Sequence, residues 1–104
     1  MNNSISLIGM AGAGKSSVGI ELAKQLNLHF IDSDALIEAK FNQTLQNILD
    51  DSGYLKLRDI EEETILSIEL TNSILATGGS AVYSARAMQY LKQNSLVIYL
   101  EVPF

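Results

Sequence analysis

The chain has 104 residues, 47% of them hydrophobic and 18% charged, enough for one compact domain with a core and too few for two. Its net charge is −5 with seven scattered Lys and Arg, which excludes the basic face of a nucleic-acid binder and leaves any anionic ligand to a few placed residues. There is no cysteine for a disulfide or thiolate metal site, no apolar run near the roughly 20 residues of a membrane helix, and no signal-peptide pattern at the N-terminus, so a cytoplasmic protein is expected.

In chain order, residues 4–8 form a short apolar strand that runs into the glycines of 9–14. From Lys15 the apolar residues Val18, Leu22, Ala23 and Leu26 recur at a helical period. Residues 29–31 give a second strand, followed by Asp32-Ser33-Asp34, and Asp34 is placed to cap a helix over about 35–41. Residues 44–51 read as a short helix closed by Ser52-Gly53. Residues 55–70 read as a longer one with Leu57, Ile60, Ile65, Leu66 and Ile68 on or near one side. A third strand at 74–77 ends in Gly78-Gly79-Ser80, a helix covers 84–92, and a fourth strand covers 96–100.

Strands separated by helices predict an α/β fold with a parallel sheet, and ligands in such sheets bind beyond the carboxyl ends of the strands. Gly9, Asp32 and Gly78 follow three of the four strand ends, so three distant segments are expected to meet at one crevice.

The segment Gly9-Met10-Ala11-Gly12-Ala13-Gly14-Lys15-Ser16 has the spacing of a phosphate-binding loop between a strand and a helix. Glycines let successive N–H groups point inward at phosphate oxygens, and the helix adds its positive N-terminal end. The nucleotide-binding set is Gly9, Gly12, Ala13, Gly14, Lys15, Ser16 and Ser17, with Lys15 bridging the β- and γ-phosphates and Ser16 offering its hydroxyl to Mg²⁺. A Gly-rich turn before a helix is the bland alternative, but at a Gly frequency of about 7% the full pattern arises by chance in few chains of this size. By contrast, Asp50-Asp51-Ser52-Gly53 imitates a GTPase Asp-x-x-Gly but follows a helix rather than a strand.

That loop together with Ser17-Val18-Gly19, Asp32-Ser33-Asp34, Arg58 with Glu61, and Gly78-Gly79 resembles the shikimate kinase family, in motif order and spacing, across essentially all 104 residues. The resemblance implies a P-loop NTPase-type three-layer α/β/α sandwich with a central parallel sheet, and an ATP-dependent kinase acting on a small hydroxyl compound, shikimate being the expected acceptor. It implies that Asp32, with Ser16, supports Mg²⁺, and that Lys15 and Asp34 are catalytic, Asp34 also binding the acceptor hydroxyls and taking a proton. Arg58 would pair with the acceptor carboxylate, Glu61 would hold that guanidinium, and Gly78, Gly79 and Ser80 would line the acceptor. Each position keeps a plainer reading: Asp34 as a helix cap, Asp32 as a solvated loop residue, Arg58 and Glu61 as a surface pair, Gly78-Gly79 as a turn. The rest of the acidic run 59–63 is expected to be a solvated helix face, and His29 a structural strand residue.

Three positions depart from the family pattern, all on the acceptor side. Ser80 stands where a third glycine is usual, Leu57 where a phenylalanine commonly precedes the arginine, and Tyr54 where the family tends to have an acid. They leave a kinase of the same fold with another acceptor as an alternative. A nucleotide-binding module without transfer activity is another; the Asn-Lys-x-Asp signature of a guanine-specific switch does not occur in these residues. The family continues beyond this point with a lid, a last strand and an adenine loop, so 1–104 is expected to be a single kinase domain truncated at its C-terminus, weak or inactive alone. The complete protein is expected to be a monomer, with no nucleic-acid or membrane partner, and the last strand of the 104-residue piece open to self-association.

Overall fold

Strand pairing is parallel throughout the computed structural model, which describes residues 3–9 and 14–100. The elements are β1 (Ile5–Gly9), α1 (Lys15–Leu26), β2 (His29–Asp32), α2 (Ser33–Phe41), α3 (Leu45–Ser52), α4 (Tyr54–Ser67), β3 (Ser73–Ala76), a 3-10 turn at Ala81–Tyr83, α5 (Ala85–Asn94) and β4 (Leu96–Leu100). The sheet order is β2-β3-β1-β4, with Leu7 opposite both Ala76 and Ile98. From β1 the chain leaves toward β2, and from β3 it leaves toward β4 on the other side. The loops after these two central strands therefore part in opposite directions, which opens a crevice at their carboxyl ends.

Alternation along the strands divides the core into two faces. Leu7 and Ile74 point to α1 and pack with Ala23, while Ile8 and Leu75 point the other way, to Ile65, Ala87 and Leu91 of α4 and α5. This is the expected three-layer α/β/α arrangement. A third cluster, Ile37, Ile48, Leu57 and Ile60, joins α2, α3 and α4 beside the sheet. Among the described residues no helix is long and apolar enough to cross a membrane.

Three local expectations are corrected. The buried stripe of α1 is Lys15, Gly19 and Ala23, whereas Val18 and Leu26 are exposed. Phe30 and Leu7 press so closely on Gly19 that an added Cβ would lie 2.6 Å from the Phe30 ring, so the helix turns its smallest residue to the sheet. Second, the long helix ends at Ser67; Ile68 is extended, and Ile68 and Leu70 are buried on either side of exposed Glu69. The hydroxyls of Thr64 and Ser67 bond the carbonyls of Ile60 and Thr64 in that last turn, and the Tyr90 hydroxyl takes the Ile68 carbonyl from outside the helix.

Third, Asp32 and not Asp34 caps α2: its Oδ1 accepts from the backbone N–H of Asp34 at 2.9 Å and of Ala35 at 3.2 Å. Gly53 ends α3, in keeping with the plain reading of Asp50-Asp51-Ser52-Gly53. His29 is an exposed strand residue.

Candidate functional site

Gly9, the last residue of β1, has φ +144 and lies so close to β4 that a Cβ there would meet the Leu100 carbonyl oxygen at 2.4 Å. Only glycine fits this point, where the strand breaks into the loop. The carbonyl of Gly9 accepts a hydrogen bond of 2.8 Å from Lys15 Nζ, so the lysine reaches back from the first turn of α1 across the mouth of the loop. Gly12 and Ala13 of the nucleotide-binding set lie outside the described residues. Burial pulls the Lys15 ammonium below its ordinary pKa, and the nearby Asp34 and Asp32 carboxylates pull it back up.

Ser16 Oγ donates to Asp32 Oδ2 at 2.8 Å, while the other oxygen of Asp32 caps α2. One carboxylate thus ties the start of α1 to the start of α2. Among the described residues no group of three or more His, Cys, Asp and Glu is clustered to hold a metal. Any cation here would need the Ser16 hydroxyl, Asp32 and oxygens from a ligand or water, which is how Mg²⁺ is commonly held in nucleotide sites.

Asp34 follows two residues on, and its Oδ1 is buried without a hydrogen-bond partner among the described residues. The oxygen occupies the space left by Gly78, where a Cβ would approach it to 2.6 Å. Burial first, then the charges of Asp32 and Glu38, raise the pKa of this carboxyl, with Lys15 acting in the opposite sense. Lys15, Ser16, Ser17, Asp32, Asp34 and Gly79 line one cleft of ≈ 250 Å³, together with Gly14 and Thr77. The three strand ends therefore meet as expected.

Thr77 carried no expectation beyond its strand. It bonds the Leu7 carbonyl with both its N–H (3.1 Å) and its Oγ1 (2.9 Å), which fixes the turn into Gly78-Gly79 against β1. A threonine just before a glycine pair was the only sequence signal for it.

A second hollow, ≈ 330 Å³, adjoins the cleft at Gly79 and is lined by Arg58, Glu61, Ser80, Tyr54 and Tyr83 among others. Arg58 is half-buried and donates from Nη2 to the Tyr83 carbonyl at 3.5 Å. The expected Arg58–Glu61 pair is not formed. An ion pair joins Arg86 to the neighbouring Glu62 at 3.0 Å, and Glu61 Oε2 accepts from the Ser80 hydroxyl. Glu62 also accepts from Ser84 Oγ at 2.7 Å, so the acidic run is not simply a solvated face. Burial, and secondarily Asp34, push Glu61 up to about 7, against a smaller opposing effect of Arg58.

The shikimate kinase family model matches residues 11–104. A protein of Photorhabdus laumondii named shikimate kinase 2 is 37% identical over 101 residues, covering 97% of this chain and 58% of the relative. A shikimate kinase of Clostridium botulinum is 43% identical over 104 residues, covering 99% and 62%. The solved shikimate kinase of Acinetobacter baumannii in complex with shikimate superposes with a TM-score of 0.91 at 37% identity, covering 99% of this chain and 58% of that one. The chain spans about three fifths of the length of these relatives. With the family model matched from residue 11 to 104, and with this fold and strand-end cleft, the chain belongs to the shikimate kinase family.

Proposed function

We propose that the protein carries the donor and acceptor sites for ATP-dependent phosphorylation of shikimate on its 3-hydroxyl. The observation that supports this best is the buried Oδ1 of Asp34, which has no hydrogen-bond partner among the described residues, in the same cleft as Lys15 and the Ser16–Asp32 pair. A buried carboxylate oxygen without a donor is costly unless a ligand supplies one, and an alcohol hydroxyl does so. The Acinetobacter relative was solved in complex with shikimate, which favours that acceptor.

The residues suit the groups that this reading requires. Bound Mg²⁺·ATP supplies the γ-phosphoryl group and the cation that neutralises charge on its oxygens. Lys15, at the N-terminus of α1, neutralises phosphate charge, and Ser16 with Asp32 offers oxygens to the cation. Asp34 orients the acceptor hydroxyl and accepts its proton as the new O–P bond forms and the bond to the leaving diphosphate oxygen breaks. Its raised pKa brings it closer to the range in which a base is effective. Arg58 would meet the acceptor carboxylate as a planar fork. A cytoplasmic setting, where ATP is available, goes with this reading.

The test is ADP formation with shikimate and with other small polyhydroxylated acids, in the protein and in Asp34→Asn. Shikimate-dependent ADP that falls about 10²-fold or more in the variant is the expected result. Turnover of another acid in preference to shikimate would keep the kinase and replace the acceptor. A folded protein that binds Mg·ATP but neither binds nor turns over any acceptor would overturn the proposal.

A further inference from the structure

Two of the positions where this chain departs from its family, Tyr54 and Ser80, contact Arg58 and Glu61 respectively. The Arg58 guanidinium carbon lies 5.5 Å from the ring centroid of Tyr54 and 5.5 Å from that of Tyr83. Tyr54 stands one helical turn before Arg58 on α4, and Tyr83 arrives from the 3-10 turn after β3, offering its carbonyl as well as its ring. Ser80, meanwhile, engages Glu61 through its hydroxyl, and no ion pair joins Glu61 to Arg58.

We infer that Tyr54 and Tyr83 are positioning residues for Arg58, clamping its guanidinium between two aromatic rings in place of a carboxylate partner, while Ser80 keeps Glu61 out of that role. This rests on the reading of Arg58 as the group that meets the acceptor carboxylate.

The chemistry favours such an arrangement. A guanidinium stacks on aromatic faces while its N–H edge stays available, whereas a bidentate carboxylate partner occupies that edge. With no carboxylate bonded to its N–H edge, Arg58 keeps that edge for an incoming anion. The tyrosine rings are also largely exposed, Tyr54 by 52% and Tyr83 by 65%, so their contact with Arg58 is not imposed by core packing.

Side-chain ¹⁵N relaxation at Arg58 Nε in the ligand-free protein tests the clamp without reference to any acceptor. Restricted motion is expected in the protein and in Tyr54→Phe and Tyr83→Phe, and free motion in the Tyr54→Leu/Tyr83→Leu double variant. An Arg58 that is already mobile, or that stays ordered without both rings, overturns the inference. Shikimate titration supplies the second arm. Each Leu variant is expected to weaken binding roughly three- to fivefold, with Phe restoring it. In a Ser80→Gly background, where Glu61 is released to pair with Arg58, the loss from Tyr54→Leu should shrink, a non-additivity that a purely structural role would not give. Binding unchanged by loss of both rings counts against the clamp. If the unaltered protein binds no shikimate while the relaxation result holds, the acceptor assignment fails and the clamp stands.

Discussion

Ser16 and Asp32 are joined by a 2.8 Å hydrogen bond, and the carboxylate that receives it also caps helix α2 with its other oxygen. One side chain therefore holds a helix start and, in the proposed function, half of a cation site, and the two roles can be separated by substitution.

Asp32→Ala is expected to cost about 1 kcal/mol of stability through the lost cap, together with the Mg²⁺ dependence of nucleotide binding. Asp32→Asn, an equally good capping residue, should keep the stability and still lose the Mg²⁺ dependence. Denaturant unfolding beside nucleotide titration with and without Mg²⁺ reads both. Equal loss of stability in the two variants would contradict the division.

Gly78→Ala would drive a methyl to 2.6 Å from Asp34 Oδ1 and 3.4 Å from the Glu61 carboxyl carbon. The expected cost is roughly 1–3 kcal/mol of stability, with a displaced Asp34. Shikimate binding should fall at least tenfold while Mg·ADP affinity changes little, because the methyl points at the acceptor side. Calorimetric titration of each ligand separates the two effects.

The raised pKa of Glu61 gives the stability curve a sign. Its carboxyl titrates near 7 in the folded protein against 4.5 when unfolded, so between those values the native state binds more protons than the unfolded one. Stability should therefore fall as pH rises from about 4.5 to 7 and level off above, by an amount on the order of 1–3 kcal/mol. Glu61→Gln keeps an acceptor for Ser80 and should remove this fall, leaving the variant the more stable protein at pH 8. Denaturant midpoints from pH 5 to 8 decide it; a variant curve parallel to that of the parent would contradict the assignment to Glu61.

Much of this was legible in the sequence. The four strands, their parallel pairing and the meeting of the segments that follow β1, β2 and β3 at one cleft followed from apolar runs and from the glycines and acids at strand ends. What was not legible depended on partners distant in the chain. Periodicity chose Val18 and Leu26 for the inner face of α1, but Phe30 needs the bare Cα of Gly19 there. The end of α4 was hidden because Ile68 and Leu70 are as apolar as a helix stripe, and only their alternation with Glu69 marks extended chain. Asp32 and Asp34 were equally good caps by type, and the space at Gly78 assigns Asp34 elsewhere. Tyr54 and Ser80 stood out as departures from the family pattern, and helical spacing puts Tyr54 one turn from Arg58, but the contacts of Ser80 with Glu61 and of Tyr83 with Arg58 are tertiary and no spacing rule shows them.

The most direct measurement is calorimetric titration of the protein and of Lys15→Ala with Mg·ADP and Mg·ATP, each with and without shikimate. Nucleotide binding that is lost in the variant and tightened by shikimate is the expected result, since Lys15 and Asp34 share one cleft. A folded protein whose nucleotide binding is indifferent to Lys15, or absent, would contradict the assignment of this cleft as the site of phosphoryl transfer.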